Sequence, residues 1–435
     1  MMKKYLFLLC LWCQYQGLVA QALYFPPLVG STWSTTAAAD LGWCTDKIDS
    51  LYNFLDGTNT KGFIVLKDGK IVLEKYFKTF TQDSFWYWAS AGKTMTALMV
   101  GVAQQKGLLK LSDTSSKYLG SGWTSLGSAQ EDKISIYHQL SMTSGLDDGL
   151  DKDCTADSCL LFKAEAGTRW AYHNAPYTLL DKVIESASGR SFQQYYNTEI
   201  RNKTGINGIW TRLGNNNVLL SNPRSMARFG LLLLNQGKWD QTGVLNDTNF
   251  FTSMIQSSQG LNPSYGYLTW LNGKGKAMFP GSQIVFNTDL APNAPKDMYA
   301  AMGKNGQLIN VVPSQNLVVV RVGDAPGDNG EVPVTFNNDI WKYLNKVICA
   351  PSTGISVIET LQNLKLYPNP TSFEINLNGV LANELSEVSL YNLQGGLIQS
   401  FEPNLKLSVA GIPSGIYLLK ISTQNSIGFV KLVKE

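Results

Sequence analysis

The chain is short of metal-binding residues and of charge. Its 435 residues include two histidines, His138 and His173. Neither has a metal-ligand partner at useful spacing, so no metal site is expected. Charged residues make up 16%, and the formal net charge of +3 is too small and too scattered to favour nucleic acid. Beyond residues 1–20, no stretch approaches the roughly 20 apolar residues that a membrane-spanning helix needs. A phosphate-binding loop is also missing. Gly92-Lys93-Thr94 has the ending of one, but the glycine required five positions earlier is Tyr87, whose ring precludes the tight backbone cradle. No cofactor is therefore expected.

What is present suits a globular protein. Hydrophobic residues reach 44% and aromatics 11%, and the length is enough for two or three domains. Residues 1–20 carry Lys3 and Lys4, an apolar run from Tyr5 to Cys13, and small residues ending Leu18-Val19-Ala20. They read as a secretory signal peptide cleaved near Ala20. The bulky Trp12 argues against Cys13 as a lipoprotein cysteine. Beyond the signal, Cys44, Cys154, Cys159 and Cys349 remain, an even number in an exported chain. Four cysteines allow three pairings. The short Cys154–Cys159 loop favours a local bridge, which leaves Cys44 with Cys349. That long bridge requires the first and last helices of the domain to lie side by side, with Cα atoms about 4.4–6.8 Å apart.

Along the chain, residues 40–56 place Cys44, Ile48, Leu51, Phe54 and Leu55 at helical spacing. Phe63-Ile64-Val65-Leu66 and Ile71-Val72-Leu73 flank Asp68-Gly69, which predicts a hairpin. A helix after Ser90 ends near Gly107, and a region of loops and helices is expected to about residue 255. Strands return at Asn310-Val311-Val312 and at Leu317 to Val322, and a closing helix spans about residues 337–347. This pattern predicts an α+β domain, an antiparallel sheet flanked by helices beside a mainly helical subdomain. Pro351-Ser352-Thr353-Gly354 opens a linker, residues 351–361. Residues 362–435 alternate in short strands between Asn-Gly, Gly-Gly and Pro-Ser-Gly turns, the pattern of a small all-β sandwich. The expected organisation is a signal at 1–20, a main domain at 21–350, a linker and a β tail.

The chemistry centres on Ser90 and Lys93, in an aromatic loop, Phe85-Trp86-Tyr87-Trp88, that runs into a buried helix. Three residues apart at a helix start, the two side chains share one face, and the free N–H groups of the first turn point toward whatever the serine attacks. A serine hydroxyl needs a base, and a lysine in a poorly solvated pocket can lose enough basicity to act as one. Alone, Ser-x-x-Lys is more often a helix cap and a solvated lysine. Three further pieces change that weighting: the loop Leu140 to Leu146, the Tyr172-His173-Asn174 segment, and Gly303-Lys304-Asn305-Gly306-Gln307 entering a strand.

With these pieces the sequence resembles the serine β-lactamase and penicillin-binding-protein family, in the branch of class C enzymes, family VIII esterases and D-peptidases, over about residues 40–348. The resemblance implies the β-lactamase/transpeptidase-like fold and a serine hydrolase. It makes Ser90 the acylated nucleophile, Lys93 its base or the tuner of that base, and Tyr172 the group that passes the proton to the leaving group, two nearby ammonium groups favouring its phenolate. Asn174 would hold Lys93 and contact the substrate amide. Lys304 and Asn305 would bind substrate, Gly306 would keep the strand edge clear, and the N–H groups of Ser90 and Gln307 would form the oxyanion hole. Asn305 stands where β-lactamases usually carry Ser or Thr, and Gly306-Gln307 looks like the branch with esterases and 6-aminohexanoate-oligomer hydrolases. The expected partner is a small-molecule or peptide substrate with an amide or ester bond; the rival reading is an inactive relative that senses cell-wall peptides. In the tail, Leu366-Tyr367-Pro368-Asn369-Pro370-Thr371, Pro413-Ser414-Gly415-Ile416-Tyr417 and Lys431 to Lys434 resemble the C-terminal sorting domain of type IX secretion. That implies handling by that machinery and a secreted or cell-surface protein; a glycan-binding module is the alternative.

Overall fold

The computed structural model describes residues 23–327, 332–349, 359–360, 364–392, 396–423 and 426–435. The expected signal peptide and most of the expected linker lie outside these residues. The described residues divide into two compact units, with the boundary between Cys349 and Ala350.

The first unit is built on a six-stranded sheet. Thr60–Lys67 and Lys70–Tyr76 form the predicted hairpin. Asp68 and Gly69 both take positive φ, at 52° and 81°, as a two-residue hairpin turn requires. The sheet order is Lys70–Tyr76, Thr60–Lys67, Leu317–Gly323, Gln307–Val312, Tyr299–Gly303 and Trp270–Leu271, and all neighbours pair antiparallel. Every residue of Leu317–Gly323 and of Gln307–Val312 is buried. A continuous apolar run is the mark of a strand covered on both faces.

Residue parity identifies the two covers. Val318 and Ile309 meet the helix Pro223–Leu234, where a Cβ on Gly230 would lie 2.3 Å from Val318 Cγ1. Asn310 and Arg321 point the other way, because side chains alternate along a strand. Asn310 exchanges hydrogen bonds with Asn337 at 2.8 and 3.0 Å, and Arg321 lies 4.9 Å from the Phe336 ring, both on the closing helix Val334–Ile348. That helix pairs with Ile48–Gly57 through stacked Phe54 and Tyr343 rings, centroids 4.3 Å apart. Cys44 and Cys349 are bonded with Cα atoms 5.7 Å apart, and Cys154 is bonded to Cys159, both as expected.

Two boundaries and one small sheet differ from the sequence expectation. The first helix begins at Ile48 rather than near residue 40, because Gly42 takes a left-handed conformation (φ 70°) and separates two short 3-10 turns ahead of it. The closing helix starts three residues earlier, at Val334. The loop and helix region also contains a small sheet of Trp86–Tyr87, Asn216–Ser221 and Ile209–Leu213. Its strands are too short, and too mixed in polarity, to stand out as period-two runs.

The second unit stacks strands in two small sheets, as expected. One runs Glu359–Thr360, Ser426–Lys434, Gly415–Thr423, Leu385–Tyr391 and Leu397–Phe401; the other runs Lys365–Tyr367, Glu374–Asn378 and Lys406–Ser408. Ile375, Leu377, Val388, Leu390, Leu419, Ile421 and Leu432 fill its core. Among the described residues no helix is long and apolar enough to cross a membrane.

Candidate active site

Ser90 sits in the 3-10 turn Ala89–Ala91, which continues into the helix Gly92–Gln105. Ala89 has φ 46°, a left-handed bend that costs an alanine about 1 kcal/mol or more and survives only where its surroundings impose it. They do so through Trp88. Its ring is fully buried, its indole N–H donates to Ser221 Oγ at 2.6 Å, and its backbone N–H donates to Leu219 O at 2.8 Å. The small sheet that sequence reasoning missed thus holds the serine turn.

Lys93 is 3% exposed, and its Nζ donates to Ser90 Oγ at 2.8 Å. The Tyr177 and Tyr172 ring centroids lie 4.1 and 5.0 Å from Nζ. Burial pushes the Lys93 ammonium down to about 7; the Asp153 charge opposes this and the Lys152 charge adds to it.

The loop Leu140 to Leu146 supports the second segment. Ala171 N donates to Met142 O and Gly167 N to Thr143 O. Tyr172 is buried, its ring stacked on Trp270 with centroids 5.6 Å apart. Burial raises its pKa, against smaller opposing influences from Ser90 and Trp270. This runs against the expected phenolate: removal from water is the largest influence on the phenol, and Lys93 has itself lost much of its hold on a proton. Asn174 differs too. Its Nδ2 donates to Asp153 Oδ1 at 2.6 Å, and its buried Oδ1 has no partner, so the amide does not hold Lys93.

The third segment is brought near the serine but oriented differently from the expectation. Lys304 lines the same cleft of about 270 Å³ as Tyr87, Ser90, Lys93 and Asn174. Asn305, with φ 62°, donates to the Tyr87 hydroxyl at 2.6 Å. A Cβ on Gly306 would meet Arg321 and Phe336 instead of the cleft. Gln307 is fully buried, its Nε2 donating to Gly323 O at 2.7 Å while its Oε1 accepts from Gly323 N. The residue against the nucleophile is Gly303, where a Cβ would lie 2.5 Å from Trp88 O, 2.8 Å from Ala91 N and 2.9 Å from Ser90 N. Gly306 and Gln307 therefore shape the turn and latch the sheet. In the sequence Gly303 opens the third segment, at the end of the strand Tyr299–Gly303, yet no motif gives it a role there. Sequence reasoning missed Asp153, Lys152 and Tyr177, which no motif marks. A larger hollow of about 750 Å³, lined by Trp33, Arg224 and Arg228 among others, contains neither Ser90 nor Lys93.

Sheet, covering helices and serine turn together have the fold of the β-lactamase and transpeptidase-like hydrolases. Residues 60–338 match the Beta-lactamase family model, and the chain belongs to that family. Residues 365–435 match the secretion system C-terminal sorting domain, which indicates type IX export to the medium or the cell surface. An uncharacterised protein of Alkalihalophilus pseudofirmus is 23% identical over 318 residues, covering 64% of this chain and 87% of that one. A β-lactamase of Escherichia coli K12 is 28% identical over 141 residues, 30% of this chain and 36% of its own. Among solved structures, a Bacillus anthracis protein assigned as a 6-aminohexanoate-dimer hydrolase superposes with TM-score 0.56 at 18% identity, over 73% of this chain and 89% of that one. A family VIII carboxylesterase gives 0.53 at 14%, over 72% and 99%. At these identities the solved structures speak for the fold.

Proposed function

We propose that the protein is an exported serine hydrolase that cleaves an amide or ester bond through an acyl-enzyme on Ser90. The observation that carries this reading is the contact of Lys93 Nζ with Ser90 Oγ at 2.8 Å, with the lysine buried and its ammonium pushed down to about 7. Near neutral pH such a lysine is often unprotonated and can accept a proton. As Oγ attacks the carbonyl carbon, the Ser90 proton passes to Lys93. The oxyanion is held by the backbone N–H groups of Ser90 and of Lys304, the first residue beyond Gly303. The Lys93 ammonium then returns its proton to the leaving group through the hydroxyl of Tyr172, a neutral phenol that donates as it receives. Water attacks the acyl carbonyl, gives its proton back through Lys93, and Ser90 Oγ leaves protonated. Linear esters and amides are favoured over β-lactams, because Asn305 is tied to Tyr87 and supplies no hydroxyl for a β-lactam carboxylate.

The test is intact-protein mass spectrometry after exposure to a fluorophosphonate, a penicillin, a cephalosporin and p-nitrophenyl esters, with Ser90→Ala alongside. An adduct or ester turnover that vanishes in Ser90→Ala is expected. No adduct and no turnover with any of them would defeat the proposal in favour of an inactive binding protein.

A further inference from the structure

The loop from Asp147 to Lys163 belongs to none of the three segments that sequence reasoning picked out, yet it reaches the cleft. It is closed on itself by the Cys154–Cys159 bond and by Asp147 N donating to Leu161 O. Its inner limb is pinned at three points. Asp153 N donates to Asp151 Oδ1, Cys154 N donates to Asp151 O, and Ala175 N, just past Asn174, donates to Lys152 O. The effect is to hold Lys152 and the half-buried Asp153 in the wall of the cleft that contains Ser90 and Lys93.

We propose that Asp153 is a positioning residue for the Ser90–Lys93 pair, its carboxylate anchoring the Asn174 amide and setting a negative charge against the Lys93 ammonium. The inference rests on the acyl-enzyme reading. A carboxylate only accepts hydrogen bonds, so the 2.6 Å contact fixes which end of the Asn174 amide faces it. The NH2 group is committed to Asp153 and is not free to turn toward Lys93. Electrostatics supply the second part. The groups around Lys93 are the Ser90 hydroxyl on the turn before its helix, the Tyr172 and Tyr177 rings beside it, Asp153 and Lys152 on the loop, and Lys304 in the same cleft. Burial and the Lys152 charge favour the neutral amine, whereas Asp153 favours the ammonium. The rigid loop thereby decides how far the balance runs.

The sign of the effect follows. A base must be unprotonated to accept from Ser90, so reactivity rises with pH through the Lys93 titration. Removing the Asp153 charge makes the ammonium easier to deprotonate, and the acid limb moves to lower pH. The measurement is the pH dependence of fluorophosphonate labelling of Ser90 in the full chain, followed by intact mass, for wild type, Asp153→Asn and Asp153→Glu. Asp153→Asn keeps an acceptor for Asn174 but not the charge, and its limb is expected about one pH unit lower. Asp153→Glu restores the charge and is expected to move the limb back toward wild type. Asp153→Ala also loses the anchor and is expected to label about tenfold more slowly on the high-pH plateau, where Asp153→Asn keeps the wild-type rate. An unmoved or raised limb in a folded Asp153→Asn would overturn the proposal, as would an Asp153→Glu limb that stays with Asp153→Asn. A wild-type chain that is not labelled at Ser90 is a separate result, one that removes the acyl-enzyme reading and this proposal with it.

Discussion

In water a lysine ammonium is useless as a base at neutral pH, because it holds its proton until about pH 10. At residue 93 the side chain runs along a helix that is buried on every side and ends between two tyrosine rings and the Ser90 hydroxyl. Desolvation then does what no single hydrogen bond could. Two outcomes follow at this scale. Ester turnover, followed as kcat/KM against pH, is expected to fall on the acid side of about pH 7 as Lys93 protonates. Lys93→Arg keeps a cation but cannot lose a proton, and is expected to reduce kcat about 10²–10⁴-fold while Ser90→Ala abolishes the adduct. A Lys93→Arg variant with near wild-type turnover would remove lysine from the role of base. Ser90 and Lys93 were legible as a pair from their spacing at a helix start, and Tyr172 only from the family resemblance of its segment. The protonation state of Tyr172 was not, since it depends on the Trp270, Tyr265 and Trp170 rings that surround it.

Between elements, the close approach of the strand Tyr299–Gly303, next to last in the sheet, to the Ser90 turn sets the geometry. The three atoms nearest to a Cβ on Gly303 are backbone atoms of Trp88, Ser90 and Ala91, so no flexible side-chain end is there to yield. Gly303→Ala is therefore expected to push strand and turn apart and to lower kcat/KM about tenfold or more, since small misplacements of reacting groups are costly. Gln307→Ala acts on the same hairpin by another route. It takes the Gln307 acceptor from the buried Gly323 N–H and leaves Gly323 O with the Trp86 indole donor, which costs about 1–3 kcal/mol in denaturant unfolding while leaving Ser90 labelling per folded molecule nearly intact. If Gln307→Ala instead blocks labelling without destabilising the fold, the residue faces the reaction and the latch reading is wrong. The lysine and glycine of Lys304-Asn305-Gly306 suggested a strand, but the backbone reverses there. Asn305 has left-handed φ and Gly306 has φ 73°, so the glycine at the cleft is Gly303, three residues before Gly306.

For the molecule as a whole, the Cys44–Cys349 bond joins the beginning and end of the first unit across 305 residues. A cross-link over so long a segment restricts the unfolded chain strongly, and removing a native bridge typically costs about 2–5 kcal/mol. Cys44→Ser with Cys349→Ser is expected to lower the denaturant midpoint by a corresponding amount and to leave the Ser90 chemistry intact, because the bridge ties the helix pair on the sheet face opposite Pro223–Leu234. The β tail has its own core and belongs to a sorting family. A chain ending at residue 349 is expected to keep ester turnover but to stay inside the cell envelope, as fractionation of medium and cells would report. Its appearance in the medium at wild-type level would dissociate the tail from export.

The hairpin at Asp68-Gly69, the buried strands around Ser314, the cysteine pairing and the Ser-x-x-Lys helix were all determined by the sequence itself. Each depends on local signals: turn residues, apolar runs, parity and helical spacing. The tertiary structure alone decided which glycine meets the serine, which partner takes the Asn174 amide, and whether Tyr172 or Lys93 is better able to hold a proton at neutral pH. Those outcomes depend on groups distant in sequence, Gly303, Asp153 and Trp270, converging on one cleft. Desolvation and backbone proximity are properties of that convergence, and no periodicity along the chain encodes them.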